Sequence, residues 1–228
     1  MEISDIIFYV AEVIGLIAFA VSGAMIAIDR KLDLFGVVFI TFVNSFGGGL
    51  MRDILIGEIP PKMFYNYEYL IYVALCAVAV IIAVSLLKER FFRNRMVIDK
   101  VINIFDAVGL GAFAIVGVKS GINAGFGDNV FFCVFLGMTT GIGGGILRDL
   151  LSHAKPLVLV KQIYALAAII GGLLFYYLDK MDVNYTVSLV SSVLLVVLIR
   201  ILAAYFRWDL PKVYVEDGGS HGDNQKHK

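Results

Sequence analysis

Gly47 to Leu55 reads GGGLMRDIL, and Gly143 to Leu151 reads GGGILRDLL. The two stretches agree at six of nine positions at an offset of 96, and Pro60 and Pro156 follow at the same offset. Upstream, Gly15 to Gly23 (GLIAFAVSG) matches Gly109 to Gly117 (GLGAFAIVG), again at six of nine, with an offset of 94. The same frame sets Glu12 against Asp106. An internal repeat of this length is weighed before anything else, because it decides the architecture.

The surroundings of both copies are apolar. Of 228 residues, 60% are hydrophobic and only 17% charged, whereas soluble domains run at roughly 45–50% apolar and about 25% charged. That composition argues against a soluble enzyme. Nineteen Lys+Arg balance nineteen Asp+Glu, so there is no basic field to hold nucleic acid, and none is expected as a partner. A helix needs about 20 apolar residues to cross a bilayer. Seven such spans can be drawn: about Ile6 to Ile28, Leu34 to Gly57, Leu70 to Leu87, Val101 to Val118, Val130 to Ser152, Val160 to Leu178 and Val187 to Phe206. Cys76 and Cys133 both fall in apolar runs and give no disulfide or metal spacing. The acidic start, Met1 to Asp5, lacks a signal peptide's basic region, so the first run is expected to stay as a span.

Spans and repeat together predict an all-α membrane protein. Residues 1–92 form a first three-helix repeat, 93–182 a second, 183–208 a seventh helix and 209–228 a polar cytoplasmic tail. Three spans per copy is an odd number, so the second copy enters the membrane from the opposite side. The repeats are therefore inverted, an arrangement that recurs in transport proteins with the site at the interface of the halves. Orientation follows from the loops, since those kept in the cytoplasm carry the excess of Lys and Arg. With the N-terminus outside and the C-terminus cytoplasmic, fourteen basic residues fall on inner loops and tail, including Lys88, Arg90, Arg93, Arg95 and Lys100, against four outside.

Residues of two kinds carry the chemistry. The triplets Gly47, Gly48, Gly49 and Gly143, Gly144, Gly145 lie inside the middle span of each repeat. Glycine costs a helix about 1 kcal/mol relative to Ala, so the triplets are expected to break their helices and line a watery cavity. Asn44 and Ser45 precede the first triplet, Thr139 and Thr140 the second, as candidate pore-lining polar groups. The competing reading is that small residues let helices pack closely. The second kind is charge within spans: Arg52-Asp53, Arg148-Asp149, Glu12 and Asp106. Such residues are costly in a membrane and mark pathways. Depth along the spans sets Glu12 opposite Arg52 near the outer mouth and Asp106 opposite Arg148 near the inner mouth, with Asp53 and Asp149 as competing local partners. These pairs are candidates for gates. Lys119 is a lone charge at the outer end of span four, open to a voltage-sensing role or to simple snorkelling. Neither a phosphate-binding loop, a serine elbow nor an HExxH motif is present, so no catalysis and no cofactor are expected.

The doubled GGG-x-x-R-D-x-L motif, each copy in the second helix of a three-helix half, with a seventh helix appended, resembles the prokaryotic branch of the trimeric intracellular cation (TRIC) channels. The resemblance covers about Ile6 to Phe206. It implies a homotrimer in a bacterial inner membrane, with a pore in each protomer for monovalent cations, chiefly potassium. That pore would be lined by spans one, two, four and five and kinked at the glycine triplets. The family is also labelled a glycine transporter, which keeps a secondary carrier for a small zwitterion open. A third reading, an oligomeric lipid-organising protein without transport, uses the glycines for packing alone.

Overall fold

The computed structural model describes residues 3–87, 95–160 and 163–206. The basic loop residues Lys88, Arg90 and Arg93 and the tail from Arg207 onward lie outside the described residues. Seven helices among those described are long and apolar enough to cross a membrane. They are α1 (Ile3–Asp29), α2 (Leu34–Leu55), α3 (Tyr67–Leu86), α4 (Arg95–Gly121), α5 (Val130–Leu151), α6 (Ile163–Lys180) and α7 (Tyr185–Phe206). α4 starts six residues before the expected Val101. Its first turns carry Asp99 and Lys100, which a hydropathy reading trims, although a helix continues readily out of an apolar region once its charged side chains reach water. At its other end a wide turn, Ile122–Phe126, closes with Gly125 at φ 91°.

Local signals repeat with the same offset as the motif. Asp33 caps α2 by accepting from the Gly36 N–H at 2.7 Å, and Asn129 caps α5 by accepting from the Phe132 N–H at 3.0 Å. Both satisfy amides that a helix start leaves without a partner. Two residues beyond each C-terminus stand Gly57 (φ 78°) and His153 (φ 53°), the left-handed position at which helices commonly stop.

The core is a ring in which α1 packs on α2, α2 on α5, α5 on α4 and α4 back on α1. α3 lies against α1 and α2, as α6 lies against α4 and α5, which is the inverted repeat in three dimensions. α7 covers α4 and α6 and has no counterpart. Phe19 and Phe113 meet edge to face across the ring, centroids 5.3 Å apart. Each ring lies where a Cβ on the opposite helix's glycine would stand, Phe19 at Gly109 and Phe113 at Gly15.

The expected breaks at the triplets are absent. α2 and α5 run as helix straight through Gly47–Gly49 and Gly143–Gly145. The energies explain this outcome: three glycines weaken a helix by about 3 kcal/mol in total, but in hydrocarbon each freed backbone group costs several kcal/mol. The ladder therefore persists, and the glycines act through their missing Cβ. A Cβ on Gly48 would collide with the Thr140 carbonyl oxygen, and one on Gly144 with that of Asn44. Gly47 meets Gly144, and Gly143 meets Gly48. The first two glycines of each triplet are the crossing point of α2 and α5, in the manner of small-residue interfaces.

Candidate functional site

The third glycine of each triplet opens room for the arginine that follows. A Cβ on Gly49 would find only Arg52 Nη2, at 4.0 Å, and one on Gly145 would find Tyr164 Oη at 3.1 Å and Arg148 Nη2 at 3.6 Å. Both arginines are thereby kept against the ring, and both are buried, Arg52 at 3% exposure and Arg148 at 0%.

At the end of the bundle where α1 begins, Arg52 Nη1 donates to Glu12 Oε1 at 2.9 Å and Arg52 Nε to Asp53 Oδ1 at 2.8 Å. The Tyr69 hydroxyl donates to Glu12 Oε2 at 2.9 Å. A cavity of about 30 Å³ adjoins this first cluster, lined among others by Glu12, Ser45, Gly49, Arg52, Asp53 and Tyr69. That is room for about one or two waters.

The second cluster repeats the plan at the opposite end. Arg148 Nη1 donates to Asp106 Oδ1 at 2.9 Å and to Ser22 Oγ at 3.1 Å, and Nε donates to Asp149 Oδ1 at 2.9 Å. Tyr164, 95 residues after Tyr69, stands beside it from α6, as Tyr69 does from α3. Two partners have no equivalent in the first cluster: Ser22, whose counterpart at an offset of 94 is Val116, and Arg200. Arg200 of α7 brings Nη2 within 3.6 Å of Asp106 Oδ2 and lays its guanidinium 4.4 Å from the centre of the Tyr164 ring. Beyond the cluster a cavity of about 550 Å³ opens at the far end of α1, lined by Asp29, Arg30, Asp99, Asn103, Asp149 and Lys155 together with apolar residues.

Asp53 and Asp149 do not compete with Glu12 and Asp106. A guanidinium is a fork, and each arginine holds two carboxylates at once through different nitrogens. The second oxygen of each aspartate reaches forward instead: Asp53 Oδ2 accepts from the Lys62 N–H and Asp149 Oδ2 from the Leu157 N–H, both at 2.9 Å. The Arg-Asp motif thus pins the loop after each helix to the cluster within it. Each of the two guanidinium groups is hydrogen-bonded to two carboxylates, and removing one partner of a buried pair typically costs about 3–5 kcal/mol.

The other sequence candidates are placed as follows. Asn44 donates from Nδ2 to the Phe19 carbonyl at 2.6 Å, and Ser45 Oγ to the Thr41 carbonyl at 2.9 Å. Thr140 donates to the Leu136 carbonyl at 2.6 Å, and the half-buried Thr139 to the Phe135 carbonyl at 2.9 Å. Of these four, Ser45 faces the first cavity. Lys119 is not a lone charge: it pairs with Asp179 of α6 at 2.9 Å and lies 5.4 Å from the Tyr185 ring centre. Among the described residues no group of His, Cys, Asp and Glu is arranged to hold a metal. Tyr69, Tyr164, Ser22 and Arg200 were missed from sequence. The offset of 95 between the tyrosines, and an arginine six residues inside an apolar span, were signals for three of them; nothing marked Ser22.

A family model described as "Glycine transporter" matches residues 9–87 and 103–180, one segment in each repeat. The membrane protein YvgT of Bacillus subtilis is 36% identical over 200 residues, covering 88% of this chain and 93% of that one. A solved structure described as "Structural basis for conductance through TRIC cation channels" aligns with a TM-score of 0.78 at 34% identity, over 92% of this chain and 99% of that one. The chain belongs to the TRIC channel family. A second TRIC structure, of the trimeric intracellular cation channel orthologue from Rhodobacter sphaeroides, aligns with a TM-score of 0.79 at 27% identity, over 89% of this chain and 99% of that one. The likeness therefore extends through α7, beyond the two segments of the family model.

Proposed function

We propose that the protein is a cation channel, conducting chiefly potassium, with a path inside each protomer enclosed by α1, α2, α4 and α5. Three protomers assemble in a bacterial inner membrane, the N-terminus outside and the C-terminus cytoplasmic, with lipid around them. One observation carries this reading: a four-helix ring bears an arginine–carboxylate cluster at each end, in a chain similar over nearly its whole length to solved cation channels. A buried guanidinium repels cations unless carboxylates match it. Parting of Glu12 from Arg52, or of Asp106 from Arg148, exposes a carboxylate to the path and moves the positive charge aside, so both pairs are gates in this mechanism. With no break in α2 or α5, freed backbone carbonyls drop out as ion ligands. The side chains of Glu12, Ser45 and Asp53 beside the first cavity take that role.

Purified protein in planar bilayers under a KCl gradient tests the proposal. The expected result is unitary steps that reverse close to the Nernst potential of the cation. A carrier cannot produce unitary steps, because it moves only a few solutes per conformational cycle. Absence of steps together with accumulation of labelled glycine in proteoliposomes would overturn the channel and leave the carrier.

A further inference from the structure

The repeat makes the two clusters alike, and α7 makes them unequal. The first cluster sums Glu12, Asp53 and Arg52 to a formal charge of −1, and the donor on the second oxygen of Glu12 is the neutral Tyr69. The second cluster sums Asp106, Asp149, Arg148 and Arg200 to zero, and the second oxygen of Asp106 lies 3.6 Å from the cationic Arg200. Charges just outside do not cancel this difference. Glu58 pairs with Lys62 at 3.3 Å beside the first cluster, and two acidic and two basic residues, Asp29, Asp99, Arg30 and Lys155, line the cavity beyond the second.

Resting on the channel reading above, we infer that Arg200 is the residue that sets the electrical asymmetry of the path and makes its current rectify. Arg200 is 3% exposed, and its Nε has no hydrogen-bond partner among the described residues. Its contact with Asp106 at 3.6 Å is longer than a hydrogen bond. The side chain therefore contributes charge more than hydrogen bonding, and α7 is held in place independently of it. Val196 and the Val193 carbonyl seat on Gly111 of α4, and Val196 and the Ser192 carbonyl on Gly171 of α6. A mouth with one extra negative charge concentrates cations before they enter. At about 8 Å through water-like surroundings, one unit charge changes the local cation concentration about twofold. Current flowing inward from the first cluster then exceeds current flowing inward from the second by about that factor, and Arg200 is a positioning charge acting on the ion through the field around Asp106.

The test is single-channel recording in symmetric KCl, taking for each channel the ratio of larger to smaller current at equal and opposite voltages, so that insertion direction drops out. In about 0.1 M salt the wild type is expected to give a ratio near two, falling toward one in about 1 M salt, where the screening length shrinks to about 3 Å. Arg200→Gln returns the second cluster to −1 and is expected to give a ratio near one at both concentrations. Arg200→Lys keeps the charge and is expected to retain the wild-type ratio. A role in packing alone would separate Gln and Lys by thermal stability rather than by this ratio. Conducting wild type with the same ratio in Arg200→Gln overturns the inference and leaves the channel standing, whereas a wild type that passes no unitary current overturns both. If Arg200→Gln is not recovered folded, Arg200→Met and Arg200→Lys decide: a Met variant that keeps the wild-type ratio, or a Lys variant that loses it, overturns the inference.

Discussion

Gly48→Ala and Gly144→Ala are each expected to destabilise the protein by more than about 3 kcal/mol, while Gly49→Ala stays within about 1 kcal/mol of wild type. The three substitutions are chemically identical and lie in equivalent helix, so intrinsic propensity favours Ala at all of them. Space separates them. The new methyl at Gly48 meets the Thr140 carbonyl and at Gly144 the Asn44 carbonyl, whereas at Gly49 it finds only Arg52 Nη2, at 4.0 Å. A carbonyl of a facing helix cannot yield without moving the helix, and overpacking of this kind costs typically about 1–3 kcal/mol even where side chains can adjust. Thermal unfolding in detergent measures the three side by side. Glycines that served to break the helix would give three similar shifts, and that outcome would restore the broken-helix reading.

Glu12→Gln is expected to lower unitary cation conductance about tenfold or more with little loss of stability. The amide keeps the shape: its oxygen can accept from Arg52 Nη1 while its NH2 donates to the Tyr69 hydroxyl, and Arg52 retains its bond to Asp53. What disappears is one negative charge beside a small cavity. At about 5 Å and an effective dielectric of about 20, a unit charge is worth roughly 3 kcal/mol to a passing cation, about a hundredfold at most, before screening by the other charges. Arg52→Met is the contrasting variant. It leaves Glu12 and Asp53 without their partner, so its main effect is a stability loss of about 3–5 kcal/mol. Unitary conductance of Glu12→Gln equal to wild type would show that ions do not pass this cluster.

Much of this architecture is legible in the sequence. Seven apolar runs became seven helices, because length and hydropathy govern bilayer crossing. The repeat offset supplied depth, and depth brought Glu12 to Arg52 and Asp106 to Arg148. Rotation about each helix axis was not legible, and it decides what the glycines do. A break and a close crossing both require the absence of a Cβ, so GGG alone cannot separate them, and only the position of Thr140 and Asn44 on the facing helix does. The aspartates were misread for a related reason: the backbone N–H groups of Lys62 and Leu157 are invisible as ligands in a sequence. Arg200 escaped because α7 has no repeat copy to supply its register, and Lys119 looked alone because Asp179 is 60 residues away.

Everything proposed for conduction requires that ions travel inside the protomer, past the first cluster. Ser45→Cys, in a background with Cys76 and Cys133 changed to Ser, places a thiol on the cavity beside Glu12 and Arg52. Treatment of the open channel with a positively charged methanethiosulfonate, followed by single-channel recording, is the direct test. The expected result is a large fall in unitary conductance, reached more slowly when potassium is abundant. Full labelling of the introduced thiol, verified by mass, with unitary conductance unchanged would contradict it.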